Sequence, residues 1–268
     1  MNMKKDIYTP HGLIETYIDG EGTPILFIHG TGGNAMSNWS ELIRTLRSKT
    51  DWLYIRPNLP GSGRTPNSKE DLNLKIINAQ IISILNELKI EEVHVIGFSL
   101  GASIALYLAG THPERFLSVT SIGGFINSEA PSMQLKLKLW QDIINIDYKM
   151  ASQTLCLDIF GSTFLMKLGN KMLNELVKSI EIGTNWDGML SQIKLDLTIN
   201  ITSALNSITQ PVLILTGTED QIIPYEYANQ LYHRLPQSKL IQINTGHASV
   251  LERPVEVANL LVDFIKSQ

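Results

Sequence analysis

Gly97-Phe98-Ser99-Leu100-Gly101 is the most informative stretch of this 268-residue chain. A β-branched run, Val93–Ile96, precedes it, and a helix-forming run, Ala102–Ala109, follows it. A G-x-S-x-G sequence between a strand and a helix is typical of a sharp turn that holds the serine in strained dihedral angles. Bulky side chains two residues before or after the serine would collide in such a turn, which explains the two glycines. We therefore expect the Ser99 hydroxyl to stand above the end of a strand, with a helix N-terminus beneath it.

Short apolar runs alternate with helical patterns along most of the chain. The runs that predict strands are Pro24–Ile28, Trp52–Ile55, Val93–Ile96, Val119–Ile122, Val212–Thr216 and Lys239–Asn244. Asp71–Leu88 and Pro254–Lys266 carry apolar residues at helical spacing, and a proline suits the first turn of a helix. Ile7–Thr9 and Gly12–Asp19 predict a short antiparallel start. The alternation predicts an α/β domain whose mostly parallel sheet carries helices on both faces.

The alternation stops from about Asn127 to about Ser207, where the pattern is helical without a convincing strand. This segment contains five of the eight methionines, namely Met133, Met150, Met166, Met172 and Met189. It also contains Trp140 and Trp186. We predict a helical cap over residues 127–207, inserted into a core domain formed by residues 1–126 and 208–268. Ordinary helices that only cover the core are the alternative.

Four further motifs accompany the serine turn. They are His29-Gly30 after the run Pro24–Ile28, Asn58-Leu59-Pro60-Gly61-Ser62-Gly63, Gly217-Thr218-Glu219-Asp220 and Gly246-His247. In content and order the chain resembles the α/β-hydrolase family, especially its bacterial esterases and haloperoxidase-like members. The resemblance covers nearly the whole chain and implies about eight strands, with the cap inserted after the sixth. Asn58 and Ser62 depart from the family's D-x-P-G-x-G turn, and we expect this difference to affect loop packing and not chemistry.

Ser99, Asp220 and His247 are the candidate catalytic residues. A serine hydroxyl becomes an effective nucleophile when a histidine takes its proton, and a carboxylate on the other ring nitrogen fixes the histidine tautomer. Each of the three follows a predicted strand, and the carboxyl ends of parallel strands share one edge of a sheet. Glu219 is the neighbouring alternative for the acid, but Asp220 matches the family's position. His29 lies next to Gly30, beside the position where the family has its oxyanion loop, and is expected to have a structural role.

Acyl transfer also needs hydrogen-bond donors for the oxyanion that develops on the substrate. The family resemblance assigns this role to the backbone N–H groups of Thr31 and Leu100. Phe98, next to the serine, is expected to line the substrate pocket, with a purely structural role as the alternative. The cap residues expected in the pocket wall are Trp140, Met150, Met166 and Trp186. Methionines and aromatic rings suit an adaptable apolar pocket.

Composition excludes several classes of protein. The chain has 22 Lys and Arg against 26 Asp and Glu, and it has no long basic stretch, so we expect no nucleic-acid partner. The sequence has no run of about 18 apolar residues, so we expect no membrane span. Lys4 and Lys5 are not followed by an apolar stretch, so no secretory signal is predicted. Cys156 is the only cysteine, which fits a reducing cytoplasm.

Cofactor chemistry has little support in the sequence. Gly30–Ala35 matches a dinucleotide-binding pattern, but the next predicted strand is followed by Arg56 and Asn58 where an acidic residue is expected. The chain contains neither a P-loop motif nor H-E-x-x-H. We therefore expect neither a cofactor nor a metal ion.

These observations predict a serine hydrolase of the carboxylesterase type. Its substrate would be a small molecule, an apolar carboxylic ester, thioester or lactone that is cleaved through an acyl-enzyme. A small-ligand receptor or signalling protein with the same fold is the alternative from another class, because fold does not determine function. Hydrolysis of a C–C bond and peracid formation are less favoured, and the sequence leaves the oligomeric state open.

Overall fold

A single eight-stranded sheet organises the chain, which the computed structural model describes from residue 3 to residue 268. The strands are β1 (Met3–Thr9), β2 (Gly12–Asp19), β3 (Thr23–Ile28), β4 (Trp52–Pro57), β5 (Val93–Phe98), β6 (Phe116–Ile122), β7 (Val212–Gly217) and β8 (Ser238–Ile243). Their order across the sheet is β1-β2-β4-β3-β5-β6-β7-β8. Strand β2 is antiparallel to both neighbours, and all pairs from β4 to β8 are parallel. The predicted fold class is confirmed.

Helices cover both faces of this sheet. They are α1 (Ser40–Leu46), α2 (Leu74–Glu87), α3 (Leu100–Thr111), α4 (Pro131–Ile146), α5 (Tyr148–Ile159), α6 (Ser162–Gly183), α7 (Trp186–Asp196), α8 (Thr202–Leu205), α9 (Tyr225–Arg234), α10 (Ser249–Glu252) and α11 (Pro254–Lys266). Alternate residues of β3 serve opposite faces. Ile25 and Phe27 belong to the buried cluster that includes α1 and α11, whereas Leu26 and Ile28 belong to the cluster that includes α2, α3 and α9. The apolar runs of the parallel strands are therefore buried on both sides.

Helix α2 begins three residues later than the apolar pattern predicts. The Asn73 side chain accepts hydrogen bonds from the backbone N–H groups of Lys75 and Ile76, both at 3.1 Å. An asparagine in this position satisfies donors that the first turn of a helix leaves without partners, and so it marks the helix start. Residues 71–73 therefore lie outside the helix.

Helices α4 to α8 lie between β6 and β7, in the segment where the sequence predicts the cap. The two ends of the insertion meet at an antiparallel bridge between Asn127 and Asn200, beside a hydrogen bond from the Ser128 N–H to the Ile199 carbonyl oxygen at 3.1 Å. Helix α8 packs against α3 of the core. These contacts join the two ends of the segment that the sequence predicts as a cap.

Candidate active site

Ser99 occupies a sharp turn between β5 and α3. Its backbone has φ 56° and ψ −121°, in a region that side-chain-bearing residues rarely adopt. A Cβ atom on Gly97 would lie 2.1 Å from the Gly101 carbonyl oxygen, and one on Gly101 would lie 2.1 Å from the Ile28 carbonyl oxygen. Both flanking positions therefore require glycine, as the motif predicts. The Ser99 N–H donates to the Ile122 carbonyl oxygen at 2.8 Å, which fixes the turn against β6.

Asp220 and His247 form a buried hydrogen-bonded pair. Each follows the carboxyl end of its strand, β7 for Asp220 and β8 for His247, and the His247 Nδ1 lies 2.7 Å from the Asp220 Oδ2. The other carboxylate oxygen, Oδ1, accepts hydrogen bonds from the backbone N–H groups of Ile222 at 2.9 Å and Ile223 at 2.8 Å. The carboxylate is thus held from both sides, and it favours the histidine tautomer with its proton on Nδ1.

The second ring nitrogen of His247, Nε2, is the atom that this tautomer leaves free to accept a proton. Nε2 is buried and has no hydrogen-bond partner within residues 3–268. Ser99 is half-buried, and both residues line the same cavity, although the Ser99 hydroxyl makes no hydrogen bond to His247. Catalytic hydrogen bonds are often long in the absence of substrate and tighten when it binds.

Gly123 supports the Asp220–His247 pair, a role that the sequence alone does not indicate. It follows β6 directly, with φ +59°, and a Cβ atom there would lie 2.9 Å from the His247 Cε1. Any side chain at this position would push the imidazole away from the carboxylate. The pair of glycines after a predicted strand was visible in the sequence, but nothing local to them indicates which side chain packs against them.

The loop after β3 presents the candidate oxyanion donors. A Cβ atom on Gly30 would lie 3.0 Å from the Ser99 Cβ, so the loop packs against the serine. The N–H of Gly30 donates to the Asn38 Oδ1 at 3.0 Å, and that of Gly32 donates to the Gln192 Oε1 at 2.9 Å. Between them the Thr31 N–H has no acceptor in residues 3–268, and neither has the N–H of Leu100 at the first position of α3. Two backbone donors therefore flank the serine turn.

The loop that carries Asn58 and Ser62 braces the loop after β3, which we call the candidate oxyanion loop. The Asn58 Oδ1 accepts from the Ala35 N–H at 2.7 Å, and the Ser62 hydroxyl donates to the Gly33 carbonyl oxygen at 2.7 Å. His29 is completely buried, and its Nε2 accepts from the Leu59 N–H at 2.9 Å. Burial lowers the pKa of His29 to about 4, so its ring is neutral at physiological pH. His29 thus links the two loops.

A cavity of about 230 Å³ lies over Ser99 and His247. Its apolar wall includes Phe98, Met133, Leu137, Trp140, Leu155, Phe160, Ile180, Met189, Ile222 and Leu251. Helices α4 to α7, with Phe160 between α5 and α6, contribute a large part of that wall. Phe98 at the end of β5, Ile222 after β7 and Leu251 on α10 contribute the rest. The structure therefore brings Phe98 and Trp140 to the cavity that Ser99 and His247 share.

Met150, Met166 and Trp186 lie outside this cavity, contrary to expectation. The Met150 residue is 52% exposed and Met166 is 78% exposed. Trp186 is buried, but its ring stacks on Tyr148 with the ring centres 5.0 Å apart. The enrichment of the insertion in methionine and tryptophan does not specify which helix face each residue occupies, and Met133 and Met189 are the methionines that reach the cavity.

A comparison with known families decides the membership of the chain. The family model for the alpha/beta hydrolase fold matches residues 23–254, which include Ser99, Asp220 and His247. The chain belongs to the α/β-hydrolase family. The match spans the helical insertion as well as most of the sheet.

Relatives within the α/β-hydrolase family carry different activity names. The chain is 30% identical to a pyrrolizixenacetamide deacetylase of Xenorhabdus hominickii, with 94% of each chain covered. It is 26% identical to a 2-hydroxymuconate semialdehyde hydrolase of a Pseudomonas species, over 92% of this chain and 88% of the relative. Among solved structures, an esterase of Exiguobacterium antarcticum superposes with a TM-score of 0.88 at 19% identity, covering 98% of this chain and 100% of the esterase. The last likeness is one of fold.

Asp196 is a buried carboxyl group in the cavity wall, and the sequence analysis did not find it. It is the last residue of α7 and is 3% exposed. The Thr31 hydroxyl donates to its Oδ2 at 2.5 Å, whereas Oδ1 is buried with no hydrogen-bond partner in residues 3–268. Burial raises the pKa of Asp196 to about 7, and the Thr31 hydrogen bond opposes this rise. Asp196 ends a helix in which polar and apolar residues are mixed, and this sequence pattern does not indicate that its carboxyl group is buried.

Replacement of Asp196 by asparagine is expected to stabilise the fold more at pH 8 than at pH 5. A pKa near 7 in the folded state, against 3.8 as the ordinary value, means that the folded protein holds a proton that the unfolded chain releases. The Asp196 contribution to stability is therefore fully present below about pH 4 and is lost as the pH rises through 7. Ionisation of Asp196 lowers the free energy of unfolding by about 4 kcal/mol at most. Asparagine cannot ionise, so Asp196→Asn avoids this loss.

Chemical unfolding of the wild type and of Asp196→Asn at the two pH values measures this difference. Asp187→Asn, an exposed position on the same helix, is the matched control. Equal effects of Asp196→Asn at pH 5 and pH 8 would show that the Asp196 carboxyl has an ordinary pKa.

Two features of residues 3–268 concern metal binding and membrane spanning. No group of three or more His, Cys, Asp or Glu side chains is arranged to hold a metal ion within that range. In the same range, none of the helices combines the length and the apolar character that a bilayer crossing requires.

Proposed function

We propose that the protein is a serine hydrolase in which Ser99 is the nucleophile, His247 the general base and Asp220 the residue that orients the histidine. The hydrogen bond of 2.7 Å between His247 Nδ1 and Asp220 Oδ2 carries this proposal, because it leaves Nε2 free in the cavity that Ser99 also lines. The strained backbone of Ser99 supports the same assignment, since such strain is concentrated at functional sites.

The reaction proceeds in two halves. The Ser99 Oγ attacks the substrate carbonyl carbon while His247 Nε2 takes the hydroxyl proton, and the Thr31 and Leu100 N–H groups stabilise the oxyanion. His247 then returns the proton to the leaving group, and the acyl-enzyme forms. A water molecule, deprotonated by the same nitrogen, attacks the acyl carbonyl, and the acid leaves as Ser99 regains its proton. Every proton is accounted for by His247, so the scheme uses no metal and no cofactor.

The cavity favours a small, largely apolar acyl compound. A carboxylic ester is the first candidate, with thioesters and lactones of the same size as close variants, because the wall is apolar and the volume is about 230 Å³. An amide is the second candidate, favoured by the 30% identity to a relative named a deacetylase of an acetamide. A receptor with little turnover is the alternative from another class, and steady-state kinetics on simple esters separates it from an enzyme.

The helical insertion acts, in this proposal, as a lid that sets acyl specificity over a core of residues 1–126 and 208–268. Its helices supply much of the apolar wall above Ser99, and they are tied to the loops that carry Asp220 and His247. The Thr163 N–H donates to the Glu219 Oε2 at 2.9 Å, and the Gly161 N–H donates to the Glu252 Oε1 at 3.1 Å. A cytoplasmic location, which the single cysteine favours, completes the proposal.

Truncation of the cavity wall is expected to change the preferred acyl chain length. Trp140→Phe and Leu155→Ala enlarge the cavity, so kcat/KM should rise for longer acyl chains relative to acetate. One methylene contact is worth about 1–3 kcal/mol of discrimination, or roughly tenfold to 200-fold. The measurement is kcat/KM over a series of 4-nitrophenyl esters from acetate to octanoate.

Met150→Ala and Met166→Ala are the matched controls, because both side chains are exposed and lie outside the cavity. Their chain-length ranking should equal that of the wild type. A thermal melt of each variant separates a change of specificity from a loss of folded protein. An unchanged ranking in both Trp140→Phe and Leu155→Ala would rule out the lid as the source of specificity.

A further inference from the structure

The polar wall of the cavity includes a buried carboxyl group that the proposed mechanism does not use. Ser99, His247 and the Thr31 N–H all have roles in acyl transfer, whereas the Asp196 carboxyl has none. Its Oδ1 is buried without a partner in residues 3–268, and no basic side chain in that range forms an ion pair with it. A buried oxygen that makes no hydrogen bond is costly, which is why such groups are rare in folded proteins.

We propose that Asp196 is a specificity-determining residue whose Oδ1 accepts a hydrogen bond from an N–H or O–H group of the substrate close to the scissile carbonyl. The proposal rests on the proposed function and narrows its substrate class. The preferred substrates are amides that carry an N–H, or esters with a hydroxyl or amino group near the carbonyl, and simple apolar esters are poorer substrates.

The position of Asp196 places its substrate partner near the reacting atoms. Its Oδ2 accepts the hydrogen bond of the Thr31 hydroxyl, and Thr31 adjoins Gly30, which packs against Ser99. Gln192, one turn earlier on α7, is fully buried and accepts from the Gly32 N–H at 2.9 Å. This face of α7 is thus fixed to the oxyanion loop, and the Asp196 carboxyl is fixed with it.

A role in supporting the oxyanion loop does not by itself explain why Asp196 has a second, unpartnered carboxyl oxygen. The Thr31 hydrogen bond uses Oδ2 only, and Gln192 already links α7 to the same loop. A single acceptor oxygen would be enough to hold the Thr31 hydroxyl. The second oxygen, Oδ1, accepts a donor when the carboxyl is ionised. In the neutral acid it remains a carbonyl acceptor when the proton lies on Oδ2 and is donated to the Thr31 hydroxyl oxygen. A pKa of about 7 therefore leaves this function intact on either side of neutrality.

Matched ligand pairs test the proposal without turnover. The pairs are butyl acetate with N-butylacetamide, and methyl butanoate with its 2-hydroxy and 3-hydroxy derivatives, so that each pair differs in one donor group. Binding to Ser99→Ala is measured by ligand NMR titration. We expect the donor-bearing member of at least one pair to bind about tenfold to a hundredfold tighter. The preference should fall at least tenfold in Ser99→Ala/Asp196→Val and in Ser99→Ala/Asp196→Ala, because neither side chain keeps an acceptor at the position of Oδ1.

Two further variants show whether the effect belongs to Asp196 itself. Ser99→Ala/Asp187→Asn, with an exposed change on the same helix, should keep the full preference. Ser99→Ala/Thr31→Val removes the hydroxyl that donates to Oδ2, and this variant should also keep the full donor preference. An equal loss of preference in the Thr31→Val and Asp196→Val backgrounds would show that the carboxyl acts through the loop and not on the substrate, which overturns the proposal. The absence of any donor preference in Ser99→Ala would also overturn the proposal.

Kinetics of the wild type on the same compounds separates this proposal from the proposed function. Turnover without a difference between the members of any pair contradicts the role of Asp196 and leaves the serine hydrolase intact. An absence of turnover, together with a donor preference in Ser99→Ala that disappears in both Asp196 variants, contradicts the hydrolase and leaves the Asp196 subsite intact.

Discussion

Ser99→Ala is expected to lower kcat for 4-nitrophenyl butyrate by about six orders of magnitude, with the protein still folded. The methyl group of alanine fits the turn, but it cannot attack the carbonyl carbon, so no acyl-enzyme forms. The residual rate comes from substrate binding and from the oxyanion donors Thr31 and Leu100, which the substitution leaves in place. Steady-state kinetics, with circular dichroism as the check on folding, measures the effect.

Ser179→Ala is the matched control, because Ser179 lines the same cavity on α6 and has no role in the proposed mechanism. Its kcat should stay close to the wild-type value. A Ser99→Ala variant that kept a substantial share of wild-type kcat would remove Ser99 from the reaction, and a comparable loss in Ser179→Ala would point to a general effect of changing the cavity wall.

Asp220→Asn is expected to lower kcat by about four orders of magnitude with little change in KM. The asparagine oxygen keeps the place of Oδ1, where it accepts from the Ile222 and Ile223 N–H groups. The asparagine NH2 then takes the place of Oδ2 and donates to the His247 Nδ1. This arrangement puts the imidazole proton on Nε2, so His247 can no longer accept the proton of Ser99.

Glu219→Gln is the control for this substitution, since Glu219 is the adjacent acidic residue and the rival for the acid role. Its carboxylate accepts from Ser162 and Thr163 at the start of α6, and the His247 Nδ1 pairs with Asp220 instead. We expect its kcat to change little. A large loss of kcat in Glu219→Gln together with near-normal kcat in Asp220→Asn would reverse the assignment of the acid.

The sheet and the candidate triad could be predicted from sequence because each depends on strong local patterns. The β-branched runs identify the parallel strands, and the order of the parallel strands brings their carboxyl ends to one edge. Ser99 is further specified by Gly97 and Gly101, whose Cβ atoms would collide with neighbouring backbone. Asp220 and His247 follow from the same topology, since each comes after the end of a strand.

The cavity wall could not be predicted in the same way, because it depends on which helix faces meet. All four of Met133, Met150, Met166 and Met189 lie in the helical insertion. Met133 and Met189 line the cavity, whereas Met150 and Met166 are exposed. The partners of Asp196 are equally remote in sequence. It meets Thr31 across 165 residues, and the packing of α7 against the oxyanion loop is what buries its carboxyl group.

Covalent labelling of the wild type and of Ser99→Ala with a fluorophosphonate tests the central claim most directly. The reagent reacts with a serine that an adjacent base activates, and intact-mass spectrometry counts the adducts per chain. We predict one adduct on the wild type, mapped by peptide fragmentation to Ser99, and none on Ser99→Ala. An adduct that persists on Ser99→Ala, or a wild-type adduct on any other residue, would contradict the assignment of Ser99 as the nucleophile.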